Sequence, residues 1–152
     1  MKTSGWAGLL LVAISASAAF AGAIEDRQAL MKSFGASGRP LGGIAKGTTP
    51  FDAATVNAQL QIIVDGSATI PGLFPAGSDS GATKTGALPT VWSDNAGFQA
   101  AAAKLGADAK AAQASTDQAS FATAFQTVQA DCNACHKVYR APPAPRPAAP
   151  AQ

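Results

Sequence analysis

Residues 121–136 read Phe121-Ala-Thr-Ala-Phe125-Gln-Thr-Val128-Gln-Ala-Asp-Cys132-Asn-Ala-Cys135-His136. Apolar and thiol side chains recur in this stretch at offsets 0, 4, 7, 11 and 14, at Phe121, Phe125, Val128, Cys132 and Cys135. This spacing puts all of them on one stripe of an α-helix. The stretch therefore predicts a helix whose buried face continues into both cysteines.

The last five residues of the stretch form the Cys-x-x-Cys-His pattern of c-type heme attachment. Two thiols three residues apart on a helix lie side by side, so each can form a thioether with one of the two heme vinyl groups. His136 follows directly and can bring an imidazole nitrogen to the iron as the proximal ligand. The pattern predicts one heme c, attached through Cys132 and Cys135, with His136 bound to the iron.

Three other readings of the two cysteines are weaker. A zinc site needs about four ligands, and the chain has two cysteines, one histidine and no second cluster. A thioredoxin-like pair follows a strand and opens a helix, whereas this pair closes the last helical stretch. A structural disulfide between Cys132 and Cys135 would close a very short loop and leave His136 unexplained.

Residues 1–21 are predicted to be an export signal that is removed from the mature chain. Lys2 is the only charge before an apolar run from Trp6 to Ile14, and Ala19-Phe20-Ala21 matches the A-x-A cleavage pattern. Ala16-Ser17-Ala18 and Ala21-Gly22-Ala23 are competing cleavage sites. An uncleaved membrane anchor is the alternative, but the apolar run is short for a bilayer span of roughly 20 residues. Export agrees with covalent heme attachment, so we expect a periplasmic protein.

Length and charge limit the class of protein further. Cleavage after Ala21 leaves 131 residues, which suits a single domain with one core. Lys2 is lost with the signal, so 10 basic side chains stand against 9 acidic ones. This balance predicts no strongly charged face, which makes nucleic acid and anionic membranes poor candidates as partners. Abundant alanine and sparse charge favour helix.

Three segments show helical patterns before the heme stretch. The first covers residues 24–46, where Pro40 lacks a backbone donor and is expected to kink or interrupt the helix. The second has Asp52 as a candidate N-cap and runs to about Ala68. The third has Asp94 as a candidate N-cap and an apolar face made of Phe98, Ala102, Leu105, Ala109 and Ala112.

The remaining residues are predicted to form a long loop, a fourth helix and a tail. Residues 70–92 contain three prolines with glycine and serine, so they predict a long ordered loop that a heme edge could hold in place. The fourth helix starts at Thr116 or Asp117 and ends near Tyr139. Residues 141–152, rich in proline and alanine, predict a disordered, polyproline-like tail. Residues 22–140 therefore predict an all-α, antiparallel four-helix bundle with the heme between its helices.

The late position of His136 restricts the second axial ligand of the iron. No methionine or histidine follows it, which excludes the plan in which an early Cys-x-x-Cys-His precedes a distal methionine. Met31 is the one methionine that remains after signal removal, and Arg27 and Gln28 lie one turn before it on the same helix face. If that face covers the heme, Met31 lies over the distal side and Arg27 reaches a propionate. The alternative is that Met31 only packs in the core, as most helical methionines do.

Taken together, these segments resemble the cytochrome c′ family, whose members are exported four-helix-bundle heme proteins. The likeness covers nearly the whole mature sequence. It is carried by Arg27-Gln28 with Met31, Lys46-Gly47, Pro50-Phe51-Asp52, Leu73-Phe74-Pro75, Pro89-Thr-Val-Trp92 with Phe98, and Cys132-Asn-Ala-Cys135-His136 with Arg140.

The resemblance implies a role for each site residue. Cys132 and Cys135 would bind the heme covalently, and His136 would be the axial ligand. Arg27 and Gln28 would contact the heme edge. Met31 would occupy the distal pocket, and Arg140 would be the basic residue beside the proximal histidine.

The resemblance also implies a function. The protein would transfer electrons between redox partner proteins, and family members with an open distal face bind nitric oxide or carbon monoxide at five-coordinate iron. A low-spin branch of the fold instead uses a methionine of the first helix as the sixth ligand. A gas scavenger without a redox partner is a further alternative, and family-like homodimers would use the first two helices. No catalytic constellation stands out beside the single histidine, so the chain is not expected to be an enzyme.

Overall fold

Four long helices dominate the computed structural model, which describes residues 17–79 and 84–142. They are α1 Ser17–Ala45, α2 Ala53–Thr69, α4 Asn95–Ala112 and α5 Gln118–Tyr139, with a short α3 Thr90–Ser93 before α4. Helix α1 packs against α2 and α5, and α4 packs against the same two helices. Short turns join α1 to α2 and α4 to α5, so neighbouring helices run antiparallel. The predicted all-α four-helix bundle is confirmed.

Three aspartates set the starts of the three long helices after α1. Asp52, Asp94 and Asp117 are N-caps whose carboxylates accept a hydrogen bond from the backbone N–H of the third residue of α2, α4 and α5. Each cap satisfies a donor that has no partner inside the helix. The sequence left the start of α5 open between Thr116 and Asp117. The structure shows Asp117 as the N-cap, because Asp117 and Ser120 form a reciprocal capping box.

A kink or an interruption was expected at Pro40, and the interruption is wrong because helix α1 continues through Pro40 to Ala45. Leu41 and Ile44, beyond the proline, are 0% and 1% exposed in the core. Burying two such side chains contributes roughly 3–6 kcal/mol. A proline inside a helix costs roughly 3 kcal/mol. Tertiary burial therefore holds the last turns of α1 in helical form.

The core is built from the stripes that the sequence predicts. Phe121, Phe125 and Val128 of α5 are buried, and the buried face of α4 is the predicted one: Phe98, Ala102, Leu105, Ala109 and Ala112. Small residues let the helices approach closely. A Cβ on Gly66 of α2 would overlap the ring of Phe34 of α1, so this glycine allows the aromatic ring to lie directly against the α2 backbone.

The segment between α2 and α4 has more regular structure than the single loop expected from the sequence. It opens with a 3₁₀ turn, Ile70–Leu73, and closes with α3. Among the described residues, the only strand-type pairing is an isolated bridge between Ala87 and Arg140. Residues 80–83, inside this segment, are not described.

The structure describes the chain slightly beyond both ends of the predicted bundle domain, 22–140. Helix α1 begins at Ser17 and passes through the predicted cleavage point after Ala21, while residues 1–16 lie outside the described part. At the other end, the Ala141 N–H donates to the carbonyl of Gly86 at 2.8 Å. The rest of the predicted tail, 143–152, is not described. No helix in the described ranges combines the length and apolarity needed to cross a membrane.

Candidate functional site

The two cysteines lie on the last turns of α5, where its buried stripe reaches the edge of the core. Both are half-buried free thiols that pack against the core. They line different cavities: Cys132 lines one between α5 and the α1–α2 side of the bundle, and Cys135 lines one between α5 and α4. The two thiols therefore project to the two sides of the stripe, one toward α1 and one toward α4.

The cavity beside Cys132 has a volume of about 380 Å³ and is mainly apolar. Its lining includes Phe34 and Gly38 of α1, Ile63 of α2, and Phe125 and Val128 of α5. A Cβ built on Gly38 would meet no atom within 4 Å, so the α1 wall is open at this point. A cleft with an apolar lining next to a thiol suits a flat apolar ring that is held by a thioether. The residues present fit the predicted heme.

The protonation state of the thiols limits what the two cysteines can bind. Burial raises the pKa of Cys132 and of Cys135, and the nearby Asp131 charge raises that of Cys132 further. Both side chains are therefore neutral thiols near pH 7. A zinc ligand must be a thiolate, so this protonation state disfavours a zinc site.

His136 lies one helical turn after Cys132 on α5 and is exposed. Desolvation lowers the pKa of its imidazole, and the positive charge of Arg140 lowers it further. The ring is therefore neutral near pH 7 and keeps the nitrogen lone pair that a metal ligand needs. Ligation of iron by His136 stays a prediction.

Arg27 is almost fully buried, at 4% exposure, and holds the segment that joins α2 to α4. Its Nη2 donates to the carbonyl of Ser78 at 2.7 Å and to Oγ1 of Thr85 at 2.8 Å, and its Nη1 donates to Oγ of Ser78 at 3.2 Å. The guanidinium also lies 4.6 Å from the centre of the Phe74 ring, a cation–π contact. The side chain of Arg27 therefore holds this segment in place, a role for which the sequence had suggested the edge of the heme.

Other contacts fasten the same segment to α1 and α5. Gln28 Nε2 donates to the carbonyl of Lys84 at 2.9 Å, and Trp92 Nε1 donates to the carbonyl of Pro75 at 3.0 Å. The Leu88 N–H donates to the carbonyl of Tyr139 at 2.9 Å, next to the bridge from Arg140. The structure thus brings Arg27 and Gln28 together on this segment, and their contact with the heme edge stays a prediction.

Met31 is half-buried and packs against the core. It belongs to a stripe of α1 at offsets 0, 4, 7 and 11, formed by Arg27, Met31, Phe34 and Gly38. The last two members line the cavity beside Cys132. Met31 therefore shares the helix face that borders this cavity, as a distal-pocket residue would.

Ser78, Thr85 and Phe74 are site-supporting residues that sequence reasoning missed in this role. Ser78 is fully buried, and it lies 51 positions from its partner Arg27. Serine and threonine in a loop carry no signal for such a distant partner. The only available signal was Arg27 itself, since a charged residue on an apolar helix face needs hydrogen-bond acceptors.

Replacement of Arg27 by methionine is expected to loosen the segment it holds. The change leaves the buried carbonyl of Ser78 without its donor, so the free energy of unfolding should fall by roughly 1–3 kcal/mol. Hydrogen exchange should accelerate at the Ala87 amide, which donates to Thr85 Oγ1. Denaturant unfolding and amide exchange measure the two effects. Lys32→Met, an exposed change on the same helix, is the control and should alter neither.

Comparison with known proteins gives one consistent family. The family model described as Cytochrome C' matches residues 22–140. Cytochrome c-556 of Agrobacterium fabrum is 43% identical over 137 residues, which are 88% of this chain and 92% of the relative. Cytochrome c' of Rhodopseudomonas palustris is 38% identical over 136 residues, which are 89% and 92% of the two chains. The solved structure of cytochrome c' from Rhodopseudomonas palustris matches with a TM-score of 0.75 at 40% identity, covering 79% of this chain and 96% of that one.

Proposed function

The chain belongs to the cytochrome c′ family, and we propose that it is a periplasmic electron carrier whose distal heme face is open to nitric oxide or carbon monoxide. Its cofactor is heme c, attached covalently. When bound, the heme supplies reversible exchange of one electron at its iron. The residues that would hold it are Cys132 and Cys135 through thioethers and His136 through the iron.

One observation carries this proposal. Helix α5 carries a neutral thiol, Cys132, in the lining of an apolar cavity that α1 also borders, and a neutral imidazole, His136, one turn further along. The apolar lining would exclude water from the ring face. Arg27 would support the site from outside by keeping the segment after α2 in place.

Electron transfer needs few other groups from the protein. The single histidine would serve the iron, so no second imidazole is available in the sequence as a general base. We therefore propose a carrier that exchanges electrons with redox partner proteins and does not act as an enzyme. Export by residues 1–21, the tail from 141 and a homodimer built from the first two helices belong to the same proposal.

Met31 supplies the specific alternative. Because it shares the α1 stripe that borders the cavity, its thioether could fill the sixth position of the iron and produce a low-spin electron carrier of the same fold. We favour the open face because half-buried helical methionines mostly serve as packing. A third possibility, a gas scavenger without redox partners, shares the open face.

Absorption spectra of the purified holoprotein test the choice. We expect the oxidised protein to lack a methionine-to-iron charge-transfer band near neutral pH, and the reduced protein to change its spectrum when carbon monoxide is added. Met31→Leu conserves side-chain volume and should leave both results unchanged. A charge-transfer band that is present in the parent and lost in Met31→Leu would overturn the open-face proposal in favour of the low-spin carrier.

A further inference from the structure

Asp131, the residue directly before Cys132, is a buried carboxylate with one unused oxygen. Its side chain is 10% exposed, and Oδ1 accepts a hydrogen bond from Lys104 Nζ at 2.7 Å. Among the described residues, Oδ2 has no hydrogen-bond partner although it is inaccessible to solvent. A buried acceptor without a donor is costly. It therefore needs an explanation.

The surroundings of Asp131 place it beside the heme attachment. It lines a cavity of about 220 Å³ between α4 and α5, together with Lys104, Cys135 and Tyr139. The Tyr139 hydroxyl donates to Asp94 Oδ2 at 2.7 Å, so it does not serve Asp131. Asp131 thus adjoins one cysteine in sequence and shares a cavity with the other.

The titratable groups around Asp131 come from two helices. Helix α4 contributes Lys104 and Asp108, which are also paired with each other. Helix α5 contributes Cys132, the next residue in the chain, and Cys135 and Tyr139, which line the same cavity as Asp131. One ammonium between two carboxylates leaves one negative charge uncompensated. Burial raises the pKa of Asp131, whereas the hydrogen bond from Lys104 lowers that of Asp108. Of the two carboxylates, Asp131 therefore has the higher affinity for a proton.

We propose that Asp131 is the residue that couples proton uptake to reduction of the heme, binding one proton from solvent when one electron from a redox partner enters the iron. This inference rests on the proposed electron-transfer function. In the protonated state the carboxyl becomes a donor, so Asp131 no longer carries a buried charge. Lys104 acts as the positioning residue that holds Asp131 Oδ1 against α4.

The sign of the coupling follows from Coulomb's law, since an added electron repels a nearby carboxylate. Reduction therefore favours the protonated form of Asp131, and protonation favours reduction. The reduction potential is high at low pH and falls as pH rises through the window in which Asp131 loses its proton. At most one proton accompanies the electron. The reduction potential can therefore change by at most 59 mV per pH unit for this one-electron couple. At a fixed solution potential, this is a tenfold change in the ratio of oxidised to reduced protein per pH unit.

Redox titration of the holoprotein across pH tests the inference. Asp131→Asn keeps the shape of the side chain but cannot titrate, so its potential should stay at the low-pH value of the parent at every pH. Asp65→Asn, an exposed change on α2, is the control and should keep the parent's pH dependence. An infrared difference spectrum between reduced and oxidised protein should show a carboxylic-acid carbonyl band that Asp131→Asn removes.

Lys104→Met provides a second variant in case Asp131→Asn fails to fold. Loss of the ammonium should move the pH-dependent window upward, because Asp131 then binds its proton more tightly. If the Lys104–Asp131 pair were purely structural, Lys104→Met would change the unfolding stability and leave the pH-dependent window in place. That result would overturn the inference. Equal pH dependence in Asp131→Asn and the parent would overturn it too. Absence of any reversible one-electron couple in the parent would instead reject the proposed function.

Discussion

The double variant Cys132→Ala/Cys135→Ala is expected to contain no covalently bound heme. These are the only two cysteines in the chain, so no other side chain can form a thioether. Each single variant should keep one link and retain part of the covalent heme. The intact mass of the protein under denaturing conditions measures the result, since a bound heme adds a fixed mass.

The control for the cysteine variants is Asn133→Ala. Asn133 lies between the two cysteines in the chain and lines the cavity beside Cys132. It should keep the full heme mass. Heme that remains attached in the double variant would reject the thioether assignment. Loss of heme in the control would show that the fold of this turn, and not the thiols, decides attachment.

His136→Ala is expected to keep the heme mass and lose the proximal ligand. The two cysteines are unchanged, so attachment should persist, while the iron loses the only imidazole that the chain possesses. The absorption spectrum of both oxidation states should therefore change. Added imidazole should restore part of the parent spectrum, because it supplies the missing ligand from solution.

Lys137→Ala is the matched control, because Lys137 is the exposed neighbour of His136 and also lies in the last turns of α5. Its spectrum should equal that of the parent. An unchanged spectrum in His136→Ala would show that a different group binds the iron. That result would leave the thioether assignment intact, since the two variants test separate bonds.

Helix starts and buried faces were predictable because their causes are local. An aspartate before an apolar stripe caps the helix wherever the chain goes next, and Asp52, Asp94 and Asp117 all do so. The stripe of α4 was likewise correct at every buried position from Phe98 to Ala112. The Cys-x-x-Cys-His pattern is equally local, so the predicted attachment site rests on five consecutive residues.

Features that depend on distant residues were not predictable. Pro40 is tolerated because Leu41 and Ile44 reach a core made by other helices. The partners of Arg27 lie 51 and 58 positions away, and nothing in the sequence near Ser78 or Thr85 indicates them. The burial of Asp131 was missed for the same reason, since a polar residue beside Cys132 has no periodic signal of its own.

The fastening of the segment between α2 and α4 has a consequence for how the chain folds. Arg27 joins it to α1 across 51 positions, and Ala87 pairs with Arg140 at the end of α5. Such contacts close long stretches of chain, so they form only after the helices have assembled. Ordering of this segment is therefore expected to be the last step of refolding, later than the collapse of the helical core.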